Sequence, residues 1–177
     1  MKKIFSTLMV VMLLLAMTGV ASAAPAESKN FVSRLSGAEE VIPRDTNARG
    51  KAIFKLSQDG SELSFRLIVA NIENVVAAHI HCGAPGVNGP VGITLFSGGT
   101  PGGGPIDGIL AQGIKTDPDS GNACGWVTLA DAIAAMRSGN TYVNVHTNDG
   151  VPPIDTGPGD FPGGEIRGQI QGKVASK

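Results

Sequence analysis

Three short segments of the sequence alternate polar and apolar residues, and two of them contain all three histidines of the chain. His79 and His81 lie two residues apart in one segment, and His146 lies in another. Because alternate side chains of a β-strand point to the same face, the first two imidazoles share a face, about 7 Å apart along the strand. Three nitrogen ligands suit copper or zinc and leave a coordination position open. The three histidines are therefore a candidate transition-metal site.

The polar positions of these segments also contain other hydrogen-bonding side chains. Asn144 shares a face with His146 in residues 141–147, and Glu165 shares one with Arg167 in residues 164–170. The alternative to a metal site is a buried network in which the imidazoles pair with these groups and with backbone carbonyls. For Glu165 and Arg167, a salt bridge on a sheet face is the simplest interpretation, and a clamp by Arg167 on a ligand carboxylate is the other. The sequence predicts that the histidines converge, with these three side chains nearby.

Residues 1–23 have the pattern of a signal peptide. A basic start, Met1-Lys2-Lys3, precedes an uncharged apolar run over residues 4–20 and the small residues Ala21-Ser22-Ala23. The run is short for a membrane span, and no basic stop-transfer cluster follows it. We therefore expect cleavage after Ala23 and a product that is secreted or held in the cell envelope or periplasm, without a membrane span.

The charge balance of the remaining chain excludes one class of partner. Without Lys2 and Lys3, it carries 12 basic and 15 acidic side chains, a net charge of −3. Such a chain has no electrostatic basis for binding nucleic acid.

Cys82 and Cys124 are the two cysteines of the chain. An even number of cysteines in an exported protein favours one disulfide bond. The bond would close a loop of about 40 residues, which stabilises the fold by up to about 4 kcal/mol on a chain-entropy estimate. Two unpaired thiols, or a metal-binding role for Cys82 beside His81, are the alternatives.

Residues 24–177 have the composition of a single β-domain, with many glycines and prolines between short apolar runs. Thr128–Ser138 is the one predicted helix, capped by Thr128 and ended by Gly139. We expect an all-β fold, an antiparallel β-sandwich or flattened Greek-key barrel of about eight to ten strands with one short helix. The predicted strands cover residues 31–36, 51–57, 61–70, 75–81, 91–96 and 109–115, together with the segments that contain Tyr142 and Glu165.

Common catalytic templates do not match this sequence. It contains no Gly-x-Ser-x-Gly elbow, no Cys-x-x-Cys pair and no phosphate-binding lysine after the glycines of residues 98–104. Residues 117–122 resemble part of a calcium loop but lack its downstream glutamate. The sequence therefore favours a protein that is not an enzyme and leaves catalysis open.

Four longer motifs resemble the CHRD domain, which is named after chordin and also occurs in exported bacterial proteins. They are residues 35–43 (LSGAEEVIP), 78–86 (AHIHCGAPG), 142–147 (YVNVHT) and 162–170 (PGGEIRGQI). The resemblance spans about residues 30 to 173, and the loop over residues 148–161 is longer than the usual link between the last two motifs. It implies an extracellular β-domain and no particular reaction.

Two functions remain open. The first is an exported, non-catalytic CHRD-type binding or structural module, expected to be a monomer, whose partner is an extracellular protein or a surface polymer. The second is an exported protein that binds copper or zinc through His79, His81 and His146, with or without redox activity. Only the second requires a cofactor.

Overall fold

Nine β-strands and one α-helix form the regular structure of residues 28–173, the part of the chain that this computed structural model describes, together with a short 3₁₀ turn at Gly37–Glu39. The predicted signal peptide, residues 1–23, lies outside the described residues. The strands are β1 (Asn30–Ser36), β2 (Arg49–Leu56), β3 (Leu63–Glu73), β4 (Val75–Cys82), β5 (Val91–Phe96), β6 (Pro105–Lys115), β7 (Thr141–Thr147), β8 (Ile166–Gln169) and β9 (Gln171–Gly172). The helix α1 comprises Leu129–Arg137.

All strands belong to one antiparallel sheet that curls into a nearly closed barrel. The strand order is β5-β4-β7-β8-β1-β2-β3-β6, and β9 pairs with β1. This order confirms the predicted all-β antiparallel fold, in its barrel form. It also places β4, β7 and β8 side by side, so the three segments with alternating polar residues are neighbours in the sheet.

A hairpin across Asp59-Gly60 joins β2 to β3. Gly60 has a φ of +79°, which a residue without a Cβ adopts easily, and the Ser57 hydroxyl donates to Asp59 Oδ1 at 2.6 Å. Phe54 and Phe65 pair across the two strands and are both buried. The turn thus sets a register that directs one face of each strand into the core.

Apolar side chains of β4, β7 and β8 fill the inside of the barrel. Burial of one such valine or isoleucine side chain contributes roughly 1.5–3 kcal/mol to folding. Because side chains alternate along a strand, the polar residues between them must lie on the outer face of the sheet. The inward residues, all fully buried, are Ala78, Ile80, Val143, Val145 and Ile166.

The helix confirms its sequence prediction and covers part of the core. The Asp131 carboxylate accepts hydrogen bonds from the backbone N–H and the hydroxyl of Thr128, at 2.8 and 2.9 Å, which satisfies the first turn. Gly139, with a φ of +73°, follows the last turn. One face of the helix is buried against the sheet, through Leu129, Ala132, Ile133 and Met136.

Several elements differ from the sequence prediction. β6 begins at Pro105 instead of residue 109, and β3 extends to Glu73 instead of residue 70. The turn Gly37–Glu39 and the two-residue strand β9 carry no apolar periodicity and were not predicted. None of the helices among the described residues is long and apolar enough to cross a membrane.

Candidate metal centre

The three imidazoles meet on the outer face of β4 and β7. In the register of the two strands, His79 lies opposite Asn144, and His146 lies opposite Ala77, one diagonal step away from His79. The ring centroids are 5.6 Å apart for His79 and His81, 5.0 Å for His79 and His146, and 5.7 Å for His81 and His146. One nitrogen from each ring lies within 4.8 Å of the other two.

Loop carbonyls hold two of the three rings. His81 Nδ1 lies 2.9 Å from the Gly89 carbonyl oxygen, and His146 Nδ1 lies 2.9 Å from that of Pro162. Because a carbonyl oxygen can only accept, each Nδ1 carries the hydrogen and donates it. The lone pair is therefore on Nε2 of both rings, which is the arrangement that outer hydrogen bonds impose on metal-bound histidines.

The nitrogens that face the centre have no partner. Nε2 of His81, Nε2 of His146 and Nδ1 of His79 are buried and make no hydrogen bond. A buried polar atom without a partner costs about 1–3 kcal/mol, so such atoms are rare in folded proteins. Three such atoms lie within this one cluster.

Burial keeps the imidazoles neutral. Desolvation lowers the pKa of His81 and of His146 to about 4, although the hydrogen bonds to Gly89 and Pro162 act in the opposite direction. Burial also lowers the pKa of His79, against an opposing effect of the Asp119 carboxylate. At neutral pH, all three rings can therefore offer a lone pair without first losing a proton.

The three rings could hold a transition metal only after small side-chain movements. Ligand nitrogens about 2.1 Å from one tetrahedral ion are roughly 3.4 Å apart. The three nitrogens lie within 4.8 Å of one another, so closure on an ion requires shifts on the order of 1 Å. His79 is half-buried and has no carbonyl partner, so it is the ring that can move most easily.

Arg167 holds the loop that covers this centre. Its guanidinium donates to the Asn88 side chain at 3.0 Å and to the Val87 and Ala84 carbonyls at 2.9 and 3.3 Å. The loop over residues 83–90 also contains the carbonyl that orients His81. Arg167 is 1% exposed and its donors face this loop, so it positions the loop and is not available as a clamp for an outside ligand.

Glu165 belongs to a different buried group. Its carboxylate accepts from the hydroxyls of Thr46 and Thr147, at 2.6 and 2.7 Å, and from the Gly159 N–H at 2.9 Å. The predicted salt bridge between Glu165 and Arg167 is absent among the bonds of residues 28–173. The backbone N–H of Glu165 still donates to the Val145 carbonyl of β7 at 2.9 Å, so the segment follows β7 while the side chain joins this other group.

Glu40 joins the polar face instead, and the sequence interpretation missed it. It follows the turn Gly37–Glu39, is 8% exposed and lies beside the Asn144 amide. Burial raises the pKa of Glu40 to about 7, against opposing effects of Arg167, Arg44 and Asn144. One oxygen of Glu40 and the side-chain oxygen of Asn144 are buried without a partner. A glutamate in a predicted loop carries no periodic signal that would reveal such burial.

The predicted disulfide between Cys82 and Cys124 is present, with Cα atoms 5.8 Å apart. It links the end of β4, directly after His81, to the segment that precedes α1. A disulfide sulfur is not a thiolate, so Cys82 is excluded as a metal ligand in this state. The bond fits an oxidising compartment.

Comparison with known proteins identifies one family. The sequence model of the CHRD domain matches residues 31–170, which is most of the chain and includes every residue of the cluster. Neither the curated proteins nor the solved structures include a significant match. CHRD domains are extracellular-type modules that serve in binding or structure. From the extent of this match, together with the four motifs and the β-barrel that contains them, the chain belongs to the CHRD domain family.

Proposed function

We propose that this domain is an exported, non-catalytic binding module whose ligand is a transition-metal ion, copper or zinc. His79, His81 and His146 are the proposed ligands. An extracellular protein or a surface polymer stays the predicted partner of the module as a whole.

The observation that carries the proposal is the convergence of buried lone pairs. Most of the buried side-chain atoms without a hydrogen-bond partner in residues 28–173 belong to the outer face of β4 and β7. For His81 and His146 the unpaired atom is an acceptor, because the other ring nitrogen donates to a carbonyl. Acceptors that point at one another repel unless a cation or a donor lies between them. A metal ion satisfies all of them at once.

The ligand type favours copper or zinc over other common ions. Neutral imidazole nitrogens suit zinc, copper, iron and nickel, whereas calcium and magnesium require oxygen ligands. The Asp119 carboxylate, which acts on His79, already accepts two hydrogen bonds from Thr94.

Metal analysis of the protein purified from the compartment to which it is exported tests the proposal. We expect a stoichiometric transition metal, and a melting temperature that falls when a chelator removes it, because an ion bound only by the folded state stabilises that state. The variants His81→Ala and His146→Ala should each lose the metal.

The matched control is Ser33→Ala. Ser33 is buried in β1 and donates to the Gly168 carbonyl at 2.6 Å, so its loss removes a buried hydrogen bond away from the histidines. This variant should be less stable and still bind metal. If wild-type protein contains no metal, binds neither Zn²⁺ nor Cu²⁺ after purification and does not respond to chelator, the cluster is a hydrogen-bonded network and the proposal is wrong.

A further inference from the structure

We infer that the outer face of β1, β2 and β3 binds an acidic polysaccharide, a sugar polymer with carboxylate groups along its chain. The inference assigns a site and a chemical class to the surface polymer that is a predicted partner of the module. It does not depend on a metal ion, because β8 and β1 separate β2 from β7, the strand that contains His146.

Basic side chains are concentrated on this face. Alternation along the strands directs apolar residues such as Phe54 and Leu67 into the barrel and the residues between them to solvent. We call the outward and exposed basic residues of the three strands the basic face: Arg34, Arg49, Lys51, Lys55 and Arg66. The whole chain has 14 basic and 15 acidic residues, so its composition alone does not explain this concentration.

No carboxylate of the three strands lies among these side chains. Glu73 is the last residue of β3, after the positive φ of Asn71, and it packs beside Gly159 at the end of the strand. The exposed Glu39 and Glu62 lie at opposite ends of the basic face.

The basic face forms no ion pair within residues 28–173. Arg49 donates to two backbone carbonyls, those of Thr46 and Ala48. The positive charges of the face are therefore available to an anionic partner.

Two of the positive charges lie directly opposite each other. Arg34 on β1 is the cross-strand partner of Lys51 on β2. Side chains in such a pair have Cβ atoms about 5 Å apart, and like charges at this separation destabilise a sheet. Arg49 lies two residues before Lys51 on the same face and adds a third charge about 7 Å away. A carboxylate between these side chains turns the repulsion into attraction.

The length of the basic face indicates a polymer. From Arg49 to Lys55 the face extends about 20 Å along β2, at the rise of an antiparallel strand. A compact anion can reach only one pair of these side chains at a time. An extended chain with a negative charge on each unit can contact all of them.

Apolar side chains between the charges favour a chain of sugar rings. Ile53 lies between Lys51 and Lys55 and is 40% exposed, and Ile114 on the neighbouring β6 is 57% exposed. A uronic acid unit has one carboxylate and a ring with C–H groups that can pack on an isoleucine, whereas a polyphosphate has no apolar surface.

Insertion of this face into a membrane is disfavoured by the type of its apolar residues. The large apolar side chains that are exposed in the described part of the chain are all valines or isoleucines. Surfaces that enter the membrane interface use tryptophan, phenylalanine and leucine. The basic face therefore fits a polymer outside the membrane.

Calorimetric titration of the exported protein with polygalacturonate tests the inference. We expect binding at about pH 7 and about 20 mM salt, and an affinity that falls roughly tenfold or more at about 300 mM salt, because the charges are exposed and screened. Neutral dextran should not bind. Polyglutamate, polyphosphate and phosphatidylglycerol vesicles of equal charge should bind more weakly than polygalacturonate.

The double variant Arg34→Gln, Lys51→Gln removes the opposed pair and should bind polygalacturonate roughly tenfold more weakly. Its melting temperature should be no lower than that of wild type, because a repulsive pair is lost, so weaker binding cannot be attributed to unfolding. The matched control Lys115→Gln, Arg137→Gln removes the same charge outside the basic face and should bind as wild type.

Two results would overturn the inference: no binding of polygalacturonate to wild type at about 20 mM salt, or an equal loss of affinity in the two double variants. Tighter binding of polyglutamate, polyphosphate or vesicles would also overturn it and would assign the face to an acidic protein, a phosphate polymer or a membrane. His81→Ala and chelator should leave polymer binding unchanged, so failure of the metal proposal and failure of this inference are distinguishable.

Discussion

The imidazole of His81 lies nearly parallel to the phenol ring of Tyr142, with ring centroids 4.8 Å apart and planes 10° apart. The guanidinium carbon of Arg167 lies 3.5 Å from the centre of the same phenol ring. Tyr142 therefore contacts both a candidate metal ligand and the arginine that holds the covering loop. Because stacking restricts rotation of the imidazole, Tyr142 helps to orient His81 in addition to the hydrogen bond at Nδ1.

Two substitutions of Tyr142 separate its ring from its hydroxyl. Tyr142→Phe retains the stacked ring but leaves the Gly89 N–H without the acceptor it has at 3.0 Å, so we expect a loss of about 1 kcal/mol in the free energy of unfolding. Tyr142→Leu also removes the stacking and should cost roughly 1 kcal/mol more. Urea unfolding measures both. Zinc affinity should fall in the leucine variant more than in the phenylalanine variant, and equal affinities would contradict a role for the ring.

Stability should fall in weak acid because of the histidines. The pKa of His81 and of His146 is about 4 in the folded chain, below the ordinary 6.5. The unfolded chain therefore takes up protons first as the pH falls, and the free energy of unfolding decreases between pH 6.5 and about 4. Each ring contributes on the order of 3 kcal/mol to this decrease.

Glu40 has the opposite effect, since its pKa is raised from 4.5 to about 7 in the folded chain. The protonated carboxyl of Glu40 therefore adds to the free energy of unfolding below pH 4.5, and this contribution is lost as the pH rises through about 7. Metal-free protein should then be most stable near pH 6.5. Urea unfolding at a series of pH values measures the combined effect of the histidines and Glu40. A free energy of unfolding that stays constant from pH 4 to 6.5 would show that the imidazoles are not buried as described.

The carboxylate of Glu165 should be essential for the stability of the fold and dispensable for metal binding. Glu165→Gln places an amide N–H₂ against one of three donors, the hydroxyls of Thr46 and Thr147 and the N–H of Gly159. We expect a loss of about 2–3 kcal/mol in thermal or urea unfolding. The exposed Glu62→Gln is the control. A large loss of zinc affinity in a folded Glu165→Gln protein would contradict the separation of the two groups.

Loss of the disulfide should weaken the whole domain. The bond spans a sequence separation of 42 residues, so the double variant Cys82→Ser, Cys124→Ser should be less stable by up to about 4 kcal/mol. Intact mass of the wild-type protein should increase by about two hydrogens on reduction. Free thiols in protein purified without reductant would rule the bond out.

Alternation in residues 75–81 and 141–147 was sufficient to place the histidines and Asn144 on one face, because side-chain direction in a regular strand depends only on position. The even number of cysteines predicted the disulfide, and Thr128 predicted the start of the helix, because a helix cap is a signal that is local in sequence. The same alternation grouped Glu165 with Arg167, whereas the Glu165 carboxylate accepts from Thr46, Thr147 and Gly159, partners that alternation does not reveal.

What covers the polar face could not be predicted from the sequence. The partners of His81 and His146 are the carbonyls of Gly89 and Pro162, and a carbonyl has no side-chain signature. Glu40 is buried, and the 3₁₀ turn before it contacts β8, which is far away in the chain. Long-range packing therefore decided the composition of the site beyond the strands themselves.

The domain has two buried regions, the apolar core inside the barrel and the polar cluster on the outer face of the sheet. The core inside the barrel is closed by strand pairing. The polar cluster on the outer face is covered by the loops that contain Gly89 and Pro162, which contact the sheet through a few hydrogen bonds, such as that from the Gly89 N–H to the Tyr142 hydroxyl. Amide hydrogens of these loops should therefore exchange with solvent through local opening while those of β4 and β7 exchange only on global unfolding. Such opening would let an ion reach the enclosed histidines without loss of the barrel.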